Sequence, residues 1–440
     1  MFYLILQRRM PLRLRSDSPN YYEFIRAFVE NRSRTSSYVN TTIVKIFQMV
    51  ERYGDKAVMA YNRLFDNSHD NLLCFNPRSI TFQLSNEEIK ALMHFKMSYD
   101  RIATYHSKQM PSSSFFSDNF NVVLGSKWTP IKSIGVYLPG GTANYISSML
   151  MSCVPAQIAG VKHIYLATPN TKLIKQPLFI ACAVMCGINL IYPFGGAQAI
   201  AAMSIGTKTI RKVDKIVGPG NVFVTAAKKY ANGTVGTDCI AGPSESIILA
   251  DRSANQWSVA MDVVSQLEHD KSALSVLITR SPSLNSSIRS KIKALCNKLP
   301  RHRMMLHSWG ANGLSIICQS ASHAIAAVNH IASEHVHIAT ANPLEIAHYI
   351  NNAGAIFAGI NAPIALGDYI SGTNHILPTA NTARFSSGLS VLDFMKRTSV
   401  VFVEKRQPLL SLAHWGITSA MAEKMQAHAM SLLFKLHLPC

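Results

Sequence analysis

Carboxylates are scarce in this 440-residue chain, with 24 Asp plus Glu against 43 Lys plus Arg and a formal net charge of +19. Each acidic side chain placed inside a motif therefore carries more information than usual. Cysteine is thinly spread as well: the eight residues form neither a disulfide framework nor a Cys-x-x-Cys zinc knuckle, so a reducing compartment, the cytoplasm, is the expectation. No long uninterrupted apolar run exists. The richest, Leu178 to Phe194, is broken by Gly187, Asn189 and Pro193 into what reads as a buried helix followed by a buried strand, which excludes a membrane span there. The apolar stretch from Met1 to Leu6 is too short for a secretory leader, and Arg8 and Arg9 follow it instead of preceding it. Finally, no Gly-x-Gly-x-x-Gly dinucleotide fingerprint is present.

What is there is globular, with 48% hydrophobic and 15% charged residues. The length exceeds one ordinary core, so two principal domains are expected. Net positive charge raises an anionic partner, but the basic residues are scattered. The cluster Ile288-Arg289-Ser290-Lys291-Ile292-Lys293-Ala294-Leu295 interleaves charge with Ile and Leu as the wet side of an amphipathic helix does, so no specific nucleic-acid interface is expected.

From Tyr21 to about Tyr105 the pattern is mainly helical, and Ser85-Asn86-Glu87-Glu88 opens a long helix. A boundary falls near Pro111-Ser112-Ser113-Ser114. Strand, turn and helix then alternate four times between Ile134 and the helix after Asn221, the signature of a parallel, doubly wound α/β sheet. Three of its turns, at Pro139-Gly140-Gly141, Gly195-Gly196 and Gly218-Pro219-Gly220, are glycine-rich and fall at carboxyl ends of strands. There they suit a phosphate-bearing ligand, or simply close helix–strand packing. A second α/β pattern starts at Ile247, with His337–Thr340 among its strands, and past Asp393-Phe394 the chain is expected to turn helical, ending in a helix at Ser419–Lys435.

Several polar groupings could carry chemistry. Gly367 to Thr379 sets Asp368 and His375 seven residues apart in a loop that suits a metal or an ionisable substrate, or is a polar surface turn. On the helix Trp257–Glu268, Asp262, Gln266 and His269 share a face beside the apolar stripe, as a metal-binding face or a solvent face would. Glu334-His335, read as lying in a loop before a strand, could act as general acid and base or be an exposed polar pair. His428 follows the apolar spacing of the tail helix, where a packed core histidine is the usual reading.

Taken together, these segments resemble the histidinol dehydrogenase family from about Leu12 to Leu433. The resemblance rests on Gly135-Val136-Tyr137-Leu138-Pro139-Gly140-Gly141-Thr142-Ala143, Gly195 to Ala202, Val217-Gly218-Pro219-Gly220-Asn221, Ala241-Gly242-Pro243-Ser244-Glu245, Ser265-Gln266-Leu267-Glu268-His269-Asp270, and the Gly-Asp-Tyr loop running on to Ser390. It implies an α/β architecture of two incomplete Rossmann-like doubly wound domains, 130–243 on the NAD side and 244–395 on the zinc and substrate side. A mainly helical region, 1–115, would pack on this core, and a helical tail, 396–440, would reach the partner subunit of a homodimer. It further implies a Zn(2+) site of Gln266, His269, Asp368 and His428. Glu334 would activate water and His335 would be the general base. Ser244, His375 and Glu423 would join the zinc ligands and His335 in contacting substrate, and Tyr137, Gln198 and Asn221 would touch NAD. The implied reaction is oxidation of L-histidinol through the aldehyde to L-histidine with two NAD. Ile146 and Asn381 depart from a proline and a glycine common in the family, and the charge is more basic than typical members. A relative oxidising another small polar alcohol, and a non-catalytic binding protein on the same fold, are the alternatives.

Overall fold

The structure, a computed structural model, describes residues 11–32, 37–66, 73–140, 145–169, 172–238 and 242–437. Gly141, Thr142 and Ala143 of the first glycine turn, together with Ala241, Cys239, Cys440 and the amino-terminal stretch from Met1, lie outside the described residues. The chain opens with β1 (Leu12–Arg15), followed by α1 (Tyr21–Arg32), α2 (Ser37–Tyr53), α3 (Asp55–Asp66) and α4 (Asn86–Ser107). In α2 the buried residues Val39, Ile43, Ile46, Phe47 and Val50 recur at helical spacing and make one apolar face. Helix α4 begins at a capping box: Ser85 Oγ accepts the Glu88 N–H at 3.2 Å and the Glu88 carboxylate accepts the Ser85 N–H at 2.9 Å.

After β2 (Ser114–Ser117) and β3 (Val123–Pro130) comes the first parallel unit: β4 (Ser133–Tyr137), α5 (Ile146–Ala159), β5 (His163–Ala167), α6 (Pro177–Met185), β6 (Leu190–Tyr192), α7 (Gly196–Ile205), β7 (Lys215–Val217), α8 (Val222–Ala231) and β8 (Gly236–Thr237). All four strand pairings are parallel, in the order β6-β5-β4-β7-β8. Both faces are covered, so β4 is buried along its whole length, as its unbroken apolar run implies. The winding reverses between β4 and β7, the place where sheets of this kind bind ligands at the carboxyl ends of their strands.

The second parallel unit comprises β9 (Glu245–Ala250), α9 (Gln256–Leu267), β10 (Leu274–Thr279), α10 (Pro282–Cys296), α11 (His302–Asn312), β11 (Leu314–Ile317), α12 (Ala321–Ile331), β12 (His335–Ala339), α13 (Pro343–His348), β13 (Ala355–Ala358) and α14 (Ile364–Tyr369). Its six strands run in the order β1-β11-β10-β9-β12-β13, all parallel, with the amino-terminal β1 as one edge. The mixed α/β class with parallel sheets expected from the sequence is thus present. The chain closes with β14 (Met395–Phe402), α15 (Arg406–Ala422) and α16 (Gln426–His437).

Contacts divide the chain into two compact units, Met1–Gln109 with Lys132–Phe394, and Met110–Ile131 with Met395–Cys440. The smaller unit contains an antiparallel sheet, β14-β3-β2. This corrects the expectation that the chain turns helical directly past Phe394. Strand β14 reads Met-Lys-Arg-Thr-Ser-Val-Val-Phe, with its charges and hydroxyls grouped instead of alternating, so its period was hidden. Helix α11, rich in His and Arg, was likewise unannounced by any apolar stripe. The tail is two helices instead of one across Ser419–Lys435, because Lys424 takes φ +60° and the Met425 N–H returns to Ala420 O at 2.8 Å, a helix-terminating turn.

One buried ion pair fixes the third glycine turn. Lys228 of α8 pairs with Asp238, Asp238 Oδ2 accepts the Gly218 N–H at 2.7 Å, and Lys228 Nζ donates to Gly218 O at 2.9 Å. Gly218 needs to be glycine: φ is +114°, and an added Cβ would meet Tyr137 O at 2.2 Å. Burial pushes the Asp238 carboxyl above its usual range, against the pull of Lys228. Replacing Lys228 with Met should cost about 3–5 kcal/mol of stability by stranding the buried carboxylate, read as a lowered denaturant midpoint at unchanged slope.

Candidate active site

The polar groups singled out in the second half collect at the amino ends of β9 and β12. Ala332, at φ +49°, ends α12 in a left-handed turn, and Glu334 and His335 follow at once. His335 is the first residue of β12, a correction to its placement in a loop, and both side chains are buried. Glu334 Oε2 accepts the Glu245 N–H at 3.0 Å. His335 Nδ1 lies 3.3 Å from Glu245 O and 3.6 Å from Glu334 Oε2. A carbonyl can only accept, so Nδ1 carries a proton, and in the neutral ring Nε2 presents its lone pair. That Nε2 is buried without a hydrogen-bond partner among the described residues, 3.9 Å from Asp368 Oδ1. Burial works against a charged ring, but Glu334 and Asp368 beside it hold His335 above its ordinary value.

Helix α9 starts on an Asn255 cap and buries Asp262 and Gln266, which settles that face as an interior one. It stops at Leu267, so His269 lies exposed in the turn beyond. Helix α14 packs against α9 and ends with Asp368 and Tyr369. Asp368 therefore belongs to a helix end and not, as read from the glycines, to an irregular loop. His375 donates from Nδ1 to Asp368 O at 3.0 Å, leaving Nε2 to accept from Ser148 Oγ at 3.1 Å. Burial lowers the affinity of His375 for a second proton. Ser244, half-buried, sits beside Glu245 at the start of β9. Asn381, where glycine is usual in the family, takes φ +64°, which Asn tolerates, and its Nδ2 donates to His330 O and Ile331 O, both at 2.9 Å. Ile146 occupies the first position of α5, where a proline is welcome but not required.

Among the described residues no group of three or more His, Cys, Asp or Glu side chains converges as a metal cluster. The larger unit offers instead an amide, a carboxylate and an imidazole: Gln266, Asp368 and His269. Neither Gln266 nor Asp368 spends its side chain on a hydrogen bond to the described residues. Oxygen and imidazole donors of this kind fit a borderline divalent cation with a coordination position left over. Glu423 and His428 belong to the smaller unit and are both exposed, so His428 is not the packed core histidine that its spacing suggests.

The three residues matched to cofactor contacts sit around the carboxyl ends of the strands of the first sheet. Tyr137, at the carboxyl end of β4, accepts the Gly196 N–H on its hydroxyl at 3.1 Å, and burial pushes that hydroxyl up to about 12. Gln198, in the first turn of α7, is buried, with Oε1 unpartnered among the described residues. Asn221 caps α8, accepting from Phe223 N at 3.0 Å and Val224 N at 3.1 Å, which leaves its Nδ2 facing outward chemistry. Close packing accounts for Gly140 and Gly195, since a Cβ on either would strike the Pro169 ring at 2.8 and 2.5 Å. Such an amide oxygen and two helix starts at the carboxyl ends of parallel strands fit a dinucleotide. Three neighbours were missed from sequence. Asp66 reaches Gly195 N at 3.4 Å, Ser148 binds His375, and Glu245 orients both Glu334 and His335. A scarce carboxylate at the close of α3 was the one signal for the first.

A profile of the family described as histidinol dehydrogenase matches residues 29–436. Histidinol dehydrogenase from Brucella melitensis is 40% identical over 427 residues, 97% of this chain and 99% of the relative, and that from Agrobacterium fabrum is 39% identical over 437 residues, again 97% and 99%. The crystal structure of histidinol dehydrogenase from Elizabethkingia anophelis superposes with a TM-score of 0.87 at 30% identity, covering 98% of both chains. With fold, motif order and length all shared, this chain belongs to the histidinol dehydrogenase family.

Proposed function

We propose that the protein oxidises L-histidinol to L-histidine through L-histidinaldehyde with two NAD, the last step of histidine synthesis, at the amino edge of its second sheet. The observation that carries this reading is the bare, buried Nε2 of His335 beside Glu334 and Asp368. A neutral imidazole with its Nδ1–H committed to Glu245 O is set to accept a proton at Nε2. His335 takes the alcohol proton as hydride leaves the carbon, and takes a proton again from the hydrated aldehyde in the second oxidation. Glu334, held by the Glu245 N–H, removes a proton from the water that adds to the aldehyde. Ser244 and His375 border the substrate.

Gln266, His269 and Asp368, joined by His428 from a second copy of this chain, would hold Zn(2+), which when bound supplies Lewis-acid polarisation and a template for the substrate's amine and imidazole. Glu423 of that second copy would complete the substrate contacts. The exposure of both tail residues within their own unit supports a homodimer with shared sites. Tyr137, Gln198 and Asn221 contact the nicotinamide cofactor. Six described cysteines are free, which suits the cytoplasm, and among the described residues no helix is long and apolar enough to cross a membrane.

The direct test follows NADH with L-histidinol before and after chelation. Two NADH per histidine are expected, with activity lost on metal removal and restored by Zn(2+); an enzyme fully active without metal would sink the zinc assignment. His335→Gln should lower kcat for both oxidations by about 100- to 10,000-fold with KM little changed. Glu334→Gln should slow the aldehyde step more than the alcohol step, seen as a lower rate with supplied histidinaldehyde. His428→Ala should lose bound zinc, and unchanged metal content would exclude a role for the tail.

A further inference from the structure

Asp262 and His337 belong to none of the roles above, yet both are buried beside the site. Asp262 stands one helical turn before Gln266 on α9. His337 stands two residues after His335 on β12 and so shares its face of the sheet. Asp262 Oδ2 and His337 Nδ1 are 3.1 Å apart, with side-chain exposures of 10% and 1%, and neither of these two atoms makes a hydrogen bond to the described residues, so each has the other as its nearest polar neighbour in a buried setting. The other nitrogen, Nε2, lies 3.0 Å from Gly359 O and, facing a carbonyl, donates to it. Gly359 follows β13, at φ +119°, and begins the short connection to α14, which ends at Asp368.

One imidazole thus lies against three of the elements from which the larger unit builds the site: the helix of Gln266, the strand that opens with His335, and the connection leading to Asp368. We propose that the Asp262–His337 pair is a positioning device that sets the metal-ligand helix and the Asp368 segment against the catalytic strand. The inference rests on the zinc reading above. Stability alone does not explain such a pair, because apolar residues of similar volume often replace a buried polar or charged pair without loss of stability, whereas polar contacts behind metal ligands tune affinity and activity about 10- to 100-fold.

The test uses the full-length protein, stripped of metal and titrated with Zn(2+) against a chromophoric chelator. The variant carrying Asp262→Leu and His337→Leu together should keep a Tm within a few degrees of the parent. Its zinc Kd should weaken about 10- to 100-fold and its kcat should fall, with KM for NAD unchanged. Parental zinc affinity and kcat in that variant would overturn the proposal. Should the pair of leucines prevent folding, His337→Gln serves, since its amide reaches Gly359 O or Asp262 but not both. A several-fold weaker zinc Kd at parental Tm is then expected, and an unchanged Kd again overturns the proposal. A parent that takes up no zinc overturns the metal reading and this proposal with it, while a zinc-binding parent matched by its variants overturns this proposal alone.

Discussion

The parallel pairing of β12 against β9 is the constraint on which the site depends. It sets His335 opposite Ser246, and the one residue before that pair, Glu245, then offers its N–H to Glu334 and its carbonyl to His335. A single backbone unit therefore orients a carboxylate and selects an imidazole tautomer at once. Because side chains alternate along a strand, a slip of one residue would turn His335 to the opposite face of the sheet. The apolar runs of both strands, buried on two faces, make such a slip costly and so protect the chemistry through packing.

The two parallel sheets use opposite edges. In the first, the residues matched to cofactor contacts gather at carboxyl ends, where the winding reverses; in the second, the reactive pair stands at amino ends. Helix α5 and the segment after α14 join them. Ser148 donates to His375, and Asn374 Nδ2 donates to Met151 O at 2.8 Å, so the segment after α14 is pinned to α5. Pinning of this kind holds the two sheets in registry, which matters wherever reacting groups come from both, since small misplacements of reacting atoms are costly in rate.

Much of this was legible in the residues. Strand–turn–helix alternation gave the α/β class, and the capping box of α4 was visible as four letters. The Asp368, His375 and Glu334-His335 groupings stood out because carboxylates are rare in the chain. Other features were opaque for physical reasons. Strand β14 lacks alternation, and α11 lacks an apolar stripe. Helix α9 could be wheeled but not placed, since periodicity gives a face and not its partner, so Asp262 and Gln266 looked as suited to solvent as to an interior. Ser148 carried no local signal at all: its importance comes from a residue 227 positions away. His428 misled through its spacing: an apolar stripe on the tail helix suggested a packed face, yet the residue is exposed.

The left-handed turn at Lys424 has a consequence for the tail. It joins two rods through Glu423, Lys424 and Met425, with Glu423 inside the joint and His428 in the first turn of the second rod. Their separation is then set through the backbone angles of that joint, the left-handed pair at Lys424 among them, and not by helical rise alone. A glycine at the joint would keep that angle accessible while loosening it, whereas a β-branched residue would resist it and swing one rod against the other. The tail thus behaves as a calliper whose opening depends on the backbone conformation of the joint, and a change at Lys424 would alter the spacing of Glu423 and His428 without replacing either.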